Sequence, residues 1–163
     1  MNKDTGKAAA NALNEYAERM RAAASREVLA SSKDVLAKAQ KNLVEDKISN
    51  FGAAGLLGSG KITPDQSSVI LTREVEFDKG YAVYVEKGTH AHTPPLESIK
   101  LWAERRGLPD KAAGAIWNHI RRKGTKKHPF LEPAADEVRP KFQSAMKIVL
   151  KDNARGMSVR VSK

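Results

Sequence analysis

Residues 121–134, RRKGTKKHPFLEPA, place five lysines and arginines within seven positions, directly ahead of the apolar triplet Pro129-Phe130-Leu131. A second proline, Pro133, closes the triplet and starts a C-terminal helix. Gly124 ends the helix before it, so the stretch joins two helices through a loop that prolines hold extended. A phenylalanine and a leucine fixed in this way lose little entropy on ordering and form a rigid apolar anchor. Two uses of that anchor stay open: it pins the loop onto the protein's own sheet, or it plugs into another subunit.

Upstream, Pro94-Pro95 opens a helix through Arg106 with Leu96, Ile99, Trp102 and Ala103 on one face. Gly107-Leu108-Pro109 reads as its stop: a left-handed glycine, an apolar residue that folds back and a proline. Asp110 is then placed to cap a second helix with Ala113, Ile116, Trp117 and Ile120 at steps of three and four. Residues 94–123 are therefore expected to form an inserted helical hairpin. Downstream, Val138, Phe142, Ala145, Met146 and Val149 line one side of the C-terminal helix within residues 124–151, with Pro140 inside it. Residues 152–163 read as a basic, frayed tail.

The first third is helical in pattern. Leu13, Tyr16, Met20, Ala24, Val28, Val35, Ala39 and Leu43 fall at steps of three, four or seven. Ser31-Ser32-Lys33-Asp34 resembles a capping box, so residues 8–48 are read as one helix or as a pair jointed near Ser31. The stripe packs on the protein itself or, in part, on another subunit. The glycine-rich stretch 49–66 reads as a flexible loop, and 67–92 as strands. Val69-Ile70-Leu71, Val75 and Phe77 are strand-like, and Asp78-Lys79-Gly80 signals a turn. Tyr81, Val83 and Val85 alternate as in a hairpin, although Tyr81, Tyr84 and Val85 also fit one helical turn. The whole of 1–163 is expected to be a single domain.

KGTHAHTPP from Lys87 and KGTKKHPFL from Lys123 share K-G-T-x-x-H with proline close behind. No longer repeat surrounds them. A glycine ending an element and a proline forcing extended chain account for both copies.

The chain carries a formal charge of +10 and no cysteine. Disulfides, thiolate metal sites and a cysteine nucleophile are excluded, and the positive charge calls for an acidic partner. The N-terminal residues lack a signal-type apolar run, and charges interrupt every candidate span, so a cytoplasmic protein without membrane contact is expected. His90, His92, His119 and His128 lack carboxylates at ligand spacing, and no HExxH occurs, so no metal or other cofactor is expected. Ser59 in GLLGSGKI fits neither a GxSxG elbow nor a phosphate loop, whose lysine is followed by Ser or Thr. Glu86 and Glu97 have no second acid placed beside them. No enzyme is indicated.

Nucleic-acid binding is the serious rival reading. Arg121, Arg122, Lys123, Lys126 and Lys127 make a basic patch, and Arg105, Arg106 and Lys111 belong to the same hairpin. Trp102 and Trp117 sit on apolar faces, which marks them as core rather than as base-stacking platforms. Only Asn118 and His119 are good base-readers on the second helix, so sequence-specific readout is not supported.

Gly80-Tyr81-Ala82-Val83-Tyr84-Val85-Glu86-Lys87-Gly88-Thr89 followed by Gly124-Thr125-Lys126-Lys127-His128-Pro129-Phe130-Leu131-Glu132-Pro133-Ala134 resembles the neck and tail-completion proteins of long-tailed bacteriophages. This family of tail components includes minor tail protein Z of phage lambda. Its members show a Tyr-Ala pair, a V-E-x-G-T element and a P-F-L-x-P-A element that leads into a C-terminal helix. The likeness spans roughly residues 40–150. Many members carry Thr-Gly-x-Leu before the first strand, where this chain has Ala54-Gly55-Leu56-Leu57.

The resemblance implies an α+β fold, a small mostly antiparallel sheet against a long N-terminal helix and a C-terminal helix. It implies a non-enzymatic virion protein at the head–tail junction, present in the host cytoplasm during assembly. Its partners would be other neck or tail proteins and copies of itself in a ring. Tyr81, Glu86, Gly88, Thr89, Pro129, Phe130, Leu131 and Pro133 are the motif and interface residues it points to. The basic patch would steer docking onto an acidic neighbour. The alternative is a small basic DNA-binding protein with non-specific phosphate contacts.

Overall fold

The computed structural model describes residues 3–46, 55–64 and 70–155. The fold is α+β: five α-helices and a two-stranded antiparallel sheet are seen among these residues. Helix α1 (Lys3–Glu45) is 43 residues long and α5 (Leu131–Arg155) is 25, about 65 and 37 Å respectively at 1.5 Å per residue. They pack side by side in opposite directions. Asn42 near the end of α1 donates from Nδ2 to the Phe130 carbonyl at the start of α5 (2.9 Å), and Lys38 pairs with Glu137 one to two turns on.

Burial deepens along the α1 stripe as α5 comes alongside. Leu13 is 57% exposed, Tyr16 to Val35 are half-buried, and Ala39 and Leu43 are fully buried. Only the last turns of the stripe, at Ala39 and Leu43, are closed off from solvent. Of the two readings, one helix or a pair jointed near Ser31, the single helix holds: α1 is continuous. Ser31 Oγ donates to Glu27 Oε1 (3.2 Å) and Ser32 Oγ to the Val28 carbonyl (2.7 Å), both one turn back. These hydroxyls are used inside the helix and do not cap a new one.

After a short 3-10 turn (Leu57–Ser59), strand β1 (Gly60–Ile62) pairs with β2 (Val75–Phe77) in the register Gly60↔Phe77, Lys61↔Glu76, Ile62↔Val75. The strand β1 therefore lies in the stretch read as loop, while its residues 49–54, 65 and 66 lie outside the described part. Gly60 allows the sheet to sit close to α1, because a Cβ there would lie 2.5 Å from Leu36 Cδ1. Ile70 and Leu71 are not in a strand, and Val69 is outside the described residues.

Residues 82–87 correct the hairpin expectation. They form a short helix, α2 (Ala82–Lys87). Backbone bonds from Ala82 N to the Lys79 carbonyl (2.8 Å) and from Val85 N to the Tyr81 carbonyl (3.1 Å) wind the chain directly out of β2. Ala82 and Val85, three apart, face the core, while Tyr81, Val83 and Tyr84 face outward. The helical period puts Ala82 and Val85 on one face against the core, where a strand would turn them to opposite sides.

The hairpin is formed as read, by α3 (Leu96–Arg105) and α4 (Asp110–Lys123). Gly107 has φ +63°. Its N–H reaches the Glu104 carbonyl (2.9 Å), and the Leu108 N–H reaches Ala103 (3.0 Å), a Schellman stop. Asp110 is the first residue of α4, with Pro109 at the cap position. Buried Ala103 and Ala113 let the two helices approach each other. Helix α5 runs from Leu131, so Pro133 falls in its first turn, where a missing N–H costs nothing. Pro140 lies on an exposed face inside it and cannot donate to the Asp136 carbonyl. The helix extends to Arg155 and takes in residues 152–155 of the expected tail; residues 156–163 lie outside the described part.

The main core gathers Ala39, Leu43, Leu56, Phe130 and Ala134, flanked by Val35, Leu57, Phe77, Ala82, Val85 and Leu131. Leu56, within the segment that departs from the family's pattern, is fully buried. Among the described residues, no helix is long and apolar enough to cross a membrane.

Candidate functional site

Two sequence elements some forty residues apart interlock at the foot of the hairpin. Lys87-Gly88-Thr89 ends α2, and Lys123-Gly124-Thr125 ends α4. The two threonines form an isolated antiparallel bridge. Thr89 N donates to the Thr125 carbonyl (3.1 Å) and Thr125 N to the Thr89 carbonyl (3.2 Å), while their hydroxyls lie 3.0 Å apart. The K-G-T echo is thus one pairing seen from both sides.

Both glycines are required for it. Gly88 has φ +71° and ψ −174°, and Gly124 has φ +77° and ψ −158°, a region that is essentially glycine's alone. Space is also lacking. A Cβ on Gly88 would lie 2.6 Å from the Thr125 carbonyl oxygen, and one on Gly124 would collide with the Thr89 carbonyl.

Immediately before this clasp, Glu86 holds the start of α5. Its Oε2 accepts from the N–H of Phe130 (2.9 Å) and Leu131 (3.0 Å), and its Oε1 from Glu132 (2.9 Å). A carboxylate there satisfies N–H groups that a helix start leaves unpaired, and it meets the positive end of the helix dipole. His128 N adds a bond to the Val85 carbonyl (2.8 Å). The Phe130 ring then meets Phe77 edge to face with centroids 4.9 Å apart.

Phe130 is 2% exposed. It is a core residue packed on Phe77 of β2, so of the two uses open to the anchor it takes the first, pinning the loop onto the protein's own sheet, and not the inter-subunit plug; Leu131 is half-buried against the same cluster. Glu86, Gly88, Thr89, Pro129 and Pro133 build the clasp and the entry to α5. Tyr81 stands apart from them, 43% exposed, on an outer face shared with Val83 and Tyr84.

Arg121, Arg122, Lys123, Lys126 and Lys127 are all exposed, on the last turn of α4 and the loop after it. Cations at this helix end are favoured by its dipole. The Arg121 guanidinium lies over the Trp117 ring, 5.0 Å from its centroid, and Arg106 lies 4.8 Å from that of Trp102. Trp117 Nε1 donates to the Pro94 carbonyl (2.8 Å). Helices α3 and α4 pack chiefly on each other, and the clasp joins them to the rest. The hairpin is an arm.

His92 Nδ1 lies 2.9 Å from the His90 carbonyl and 3.3 Å from Thr89 Oγ1, which places both histidines in the clasp's surroundings. Among the described residues, no three His, Asp or Glu side chains come together in a way that would hold a metal ion. A separate groove of about 460 Å³ runs between α1 and α5, walled by Val28, Val35, Leu71, Val138 and Phe142 and edged by Arg73. The Lys38 ammonium, hydrogen-bonded to Glu137, lowers that carboxyl below its ordinary value. No protein family, curated protein or solved structure matches the chain.

The T-T bridge and the partners of Glu86 escaped sequence reasoning. The repeated K-G-T was the available signal: two identical glycine-ended stops can pair when each glycine admits the other's backbone.

Proposed function

We propose that this protein is a structural component of the head–tail junction of a long-tailed bacteriophage, a neck or tail-completion protein. It acts by assembling into a ring and docking on neighbouring virion proteins, not by catalysis. The observation that carries this reading is the interlock of the V-E-x-G-T and P-F-L-x-P-A elements. The features by which the chain resembles that family are the ones that hold α2, α4 and α5 to each other. Their roles are architectural: a helix cap, a backbone bridge and a core aromatic.

With Phe130 committed to the core, the apolar side chains offered to neighbours include Tyr81, Val83 and Tyr84 on α2 and Leu13 on α1. Ring assembly would place the protein in the virion neck, after a period in the host cytoplasm. Native mass spectrometry of the full chain, with electron microscopy of the same sample, tests this. A closed oligomer that weakens when Tyr81, Val83 and Tyr84 are replaced by serine supports the reading. A monomer that persists at every concentration, alone and with candidate neck proteins, contradicts it.

A further inference from the structure

We propose that the basic end of the arm is a grip for the phosphate backbone of duplex nucleic acid. This goes beyond the junction reading and does not depend on it, because it rests on the arm's own chemistry.

Residues 96–127 hold nine lysines and arginines against three acids (Glu97, Glu104 and Asp110), a net +6 of the chain's +10. Within 119–128, HIRRKGTKKH, there is no acid at all. Several other cations have an acidic partner: Lys38 with Glu137, Lys41 with Glu45, Lys61 with Glu76 and Asp78, Arg139 with Asp136 and, at the far end of the arm, Lys100 with Glu97. Arg122, Lys123, Lys126 and Lys127 form no ion pair among the described residues. The patch is unneutralised and set on a firm base, since Gly124-Thr125 at its centre is tied to Thr89.

The surface chemistry selects the partner. A protein docking site gathers aromatic or aliphatic anchors at its centre and leaves charge to the rim. Among the described residues, the exposed large hydrophobic side chains lie on α1, α2, α3 and α5 and in the segments between elements, and none falls within 109–128. The patch is charge and hydroxyl throughout, the composition that contacts phosphates. Single strands are bound by stacking bases on open aromatic faces. Here Trp102 and Trp117 are half-buried, and each has a guanidinium over its ring. A duplex, whose phosphates lie outside its stacked bases, fits such a surface better than an unstacked strand or an acidic protein.

The test is fluorescence anisotropy of the full chain with a short labelled DNA duplex over a range of salt. The Arg122→Gln, Lys123→Gln, Lys126→Gln, Lys127→Gln variant should reduce the slope of log K against log salt by roughly 3–4, with a loss of about ten- to a hundredfold in affinity at low salt. Its thermal unfolding should match the parent, as all four side chains are exposed. If that variant fails to fold, each single glutamine variant should lower the slope by about 1. Neutralising Lys141, Lys147 and Lys151 on α5 should leave affinity and slope nearly unchanged. An unchanged slope in the arm variants, or an equal loss from the α5 variant, overturns the proposal. Equal or tighter binding of poly-glutamate overturns it in favour of an acidic protein, and tighter binding of a single strand overturns the duplex assignment.

Discussion

Residues 121–127 and 129–134 flank one histidine and meet opposite fates. The first seven present five cations to solvent, and the next six carry Phe130 and Ala134 into the core. His128, whose N–H is bonded to the Val85 carbonyl, marks the turn from one to the other. A block of charge beside a sticky triplet is therefore a division of labour. The inner half fixes where α5 starts. The outer half, mounted on the arm, is exposed to solvent. Burial decides the stability of one half, and the role proposed for the other rests on long-range electrostatics.

The comparison breaks most visibly at Phe130. Phe130→Ala should cost about 3–5 kcal/mol in urea unfolding, while the four glutamines in the basic half should stay within about 0.5 kcal/mol of the parent. Comparable losses from both would mean that the basic half is also structural. Next in size is Glu86→Ala, which strands three N–H groups at the start of α5 and should cost about 2–3 kcal/mol by thermal unfolding. Recovery of part of that loss by Glu86→Gln would sharpen the capping role.

Gly124→Ala should follow, at about 1–3 kcal/mol for the glycine-only backbone, with further cost from the collision with Thr89. Its particular signature is faster amide exchange at Thr89 and Thr125, with α1 and the middle of α5 unaffected. The smallest effect belongs to Glu137→Gln. Glu137 has a lowered carboxyl in the folded state because Lys38 stabilises its charged form. The contribution is therefore present above the ordinary carboxylate value and lost as pH falls through the lowered one. The difference between Glu137→Gln and the parent should be slight at neutral pH and vanish in acid.

The helices were legible because each rests on a local rule. The α1 and α5 stripes recur at helical spacing, and Gly107-Leu108-Pro109 is a stop whose hydrogen bonds close within six residues. Tyr81 to Val85 was ambiguous because five residues satisfy both periods, and the core that Ala82 and Val85 join, built from α1, Leu56 and Phe130, lies outside that window. Ser31 and Ser32 left one helix or two open for a related reason: a hydroxyl that caps a new helix and one that bonds one turn back have the same local sequence. The clasp lay further out of reach. Nothing in Lys87-Gly88-Thr89 names Lys123-Gly124-Thr125 as its partner, and Glu86 meets α5 only after the intervening arm has folded back on itself.

Site-resolved hydrogen exchange across residues 121–134 tests the division between the halves most directly. The amides of Thr125, His128, Phe130, Leu131 and Glu132 should exchange only with global unfolding, those of Lys126 and Lys127 should exchange quickly, and Glu86→Ala should release residues 130–132 selectively. Rapid exchange at Phe130, Leu131 and Glu132 in the unaltered protein would contradict the account, because the start of α5 would then be held neither by Glu86 nor by the core.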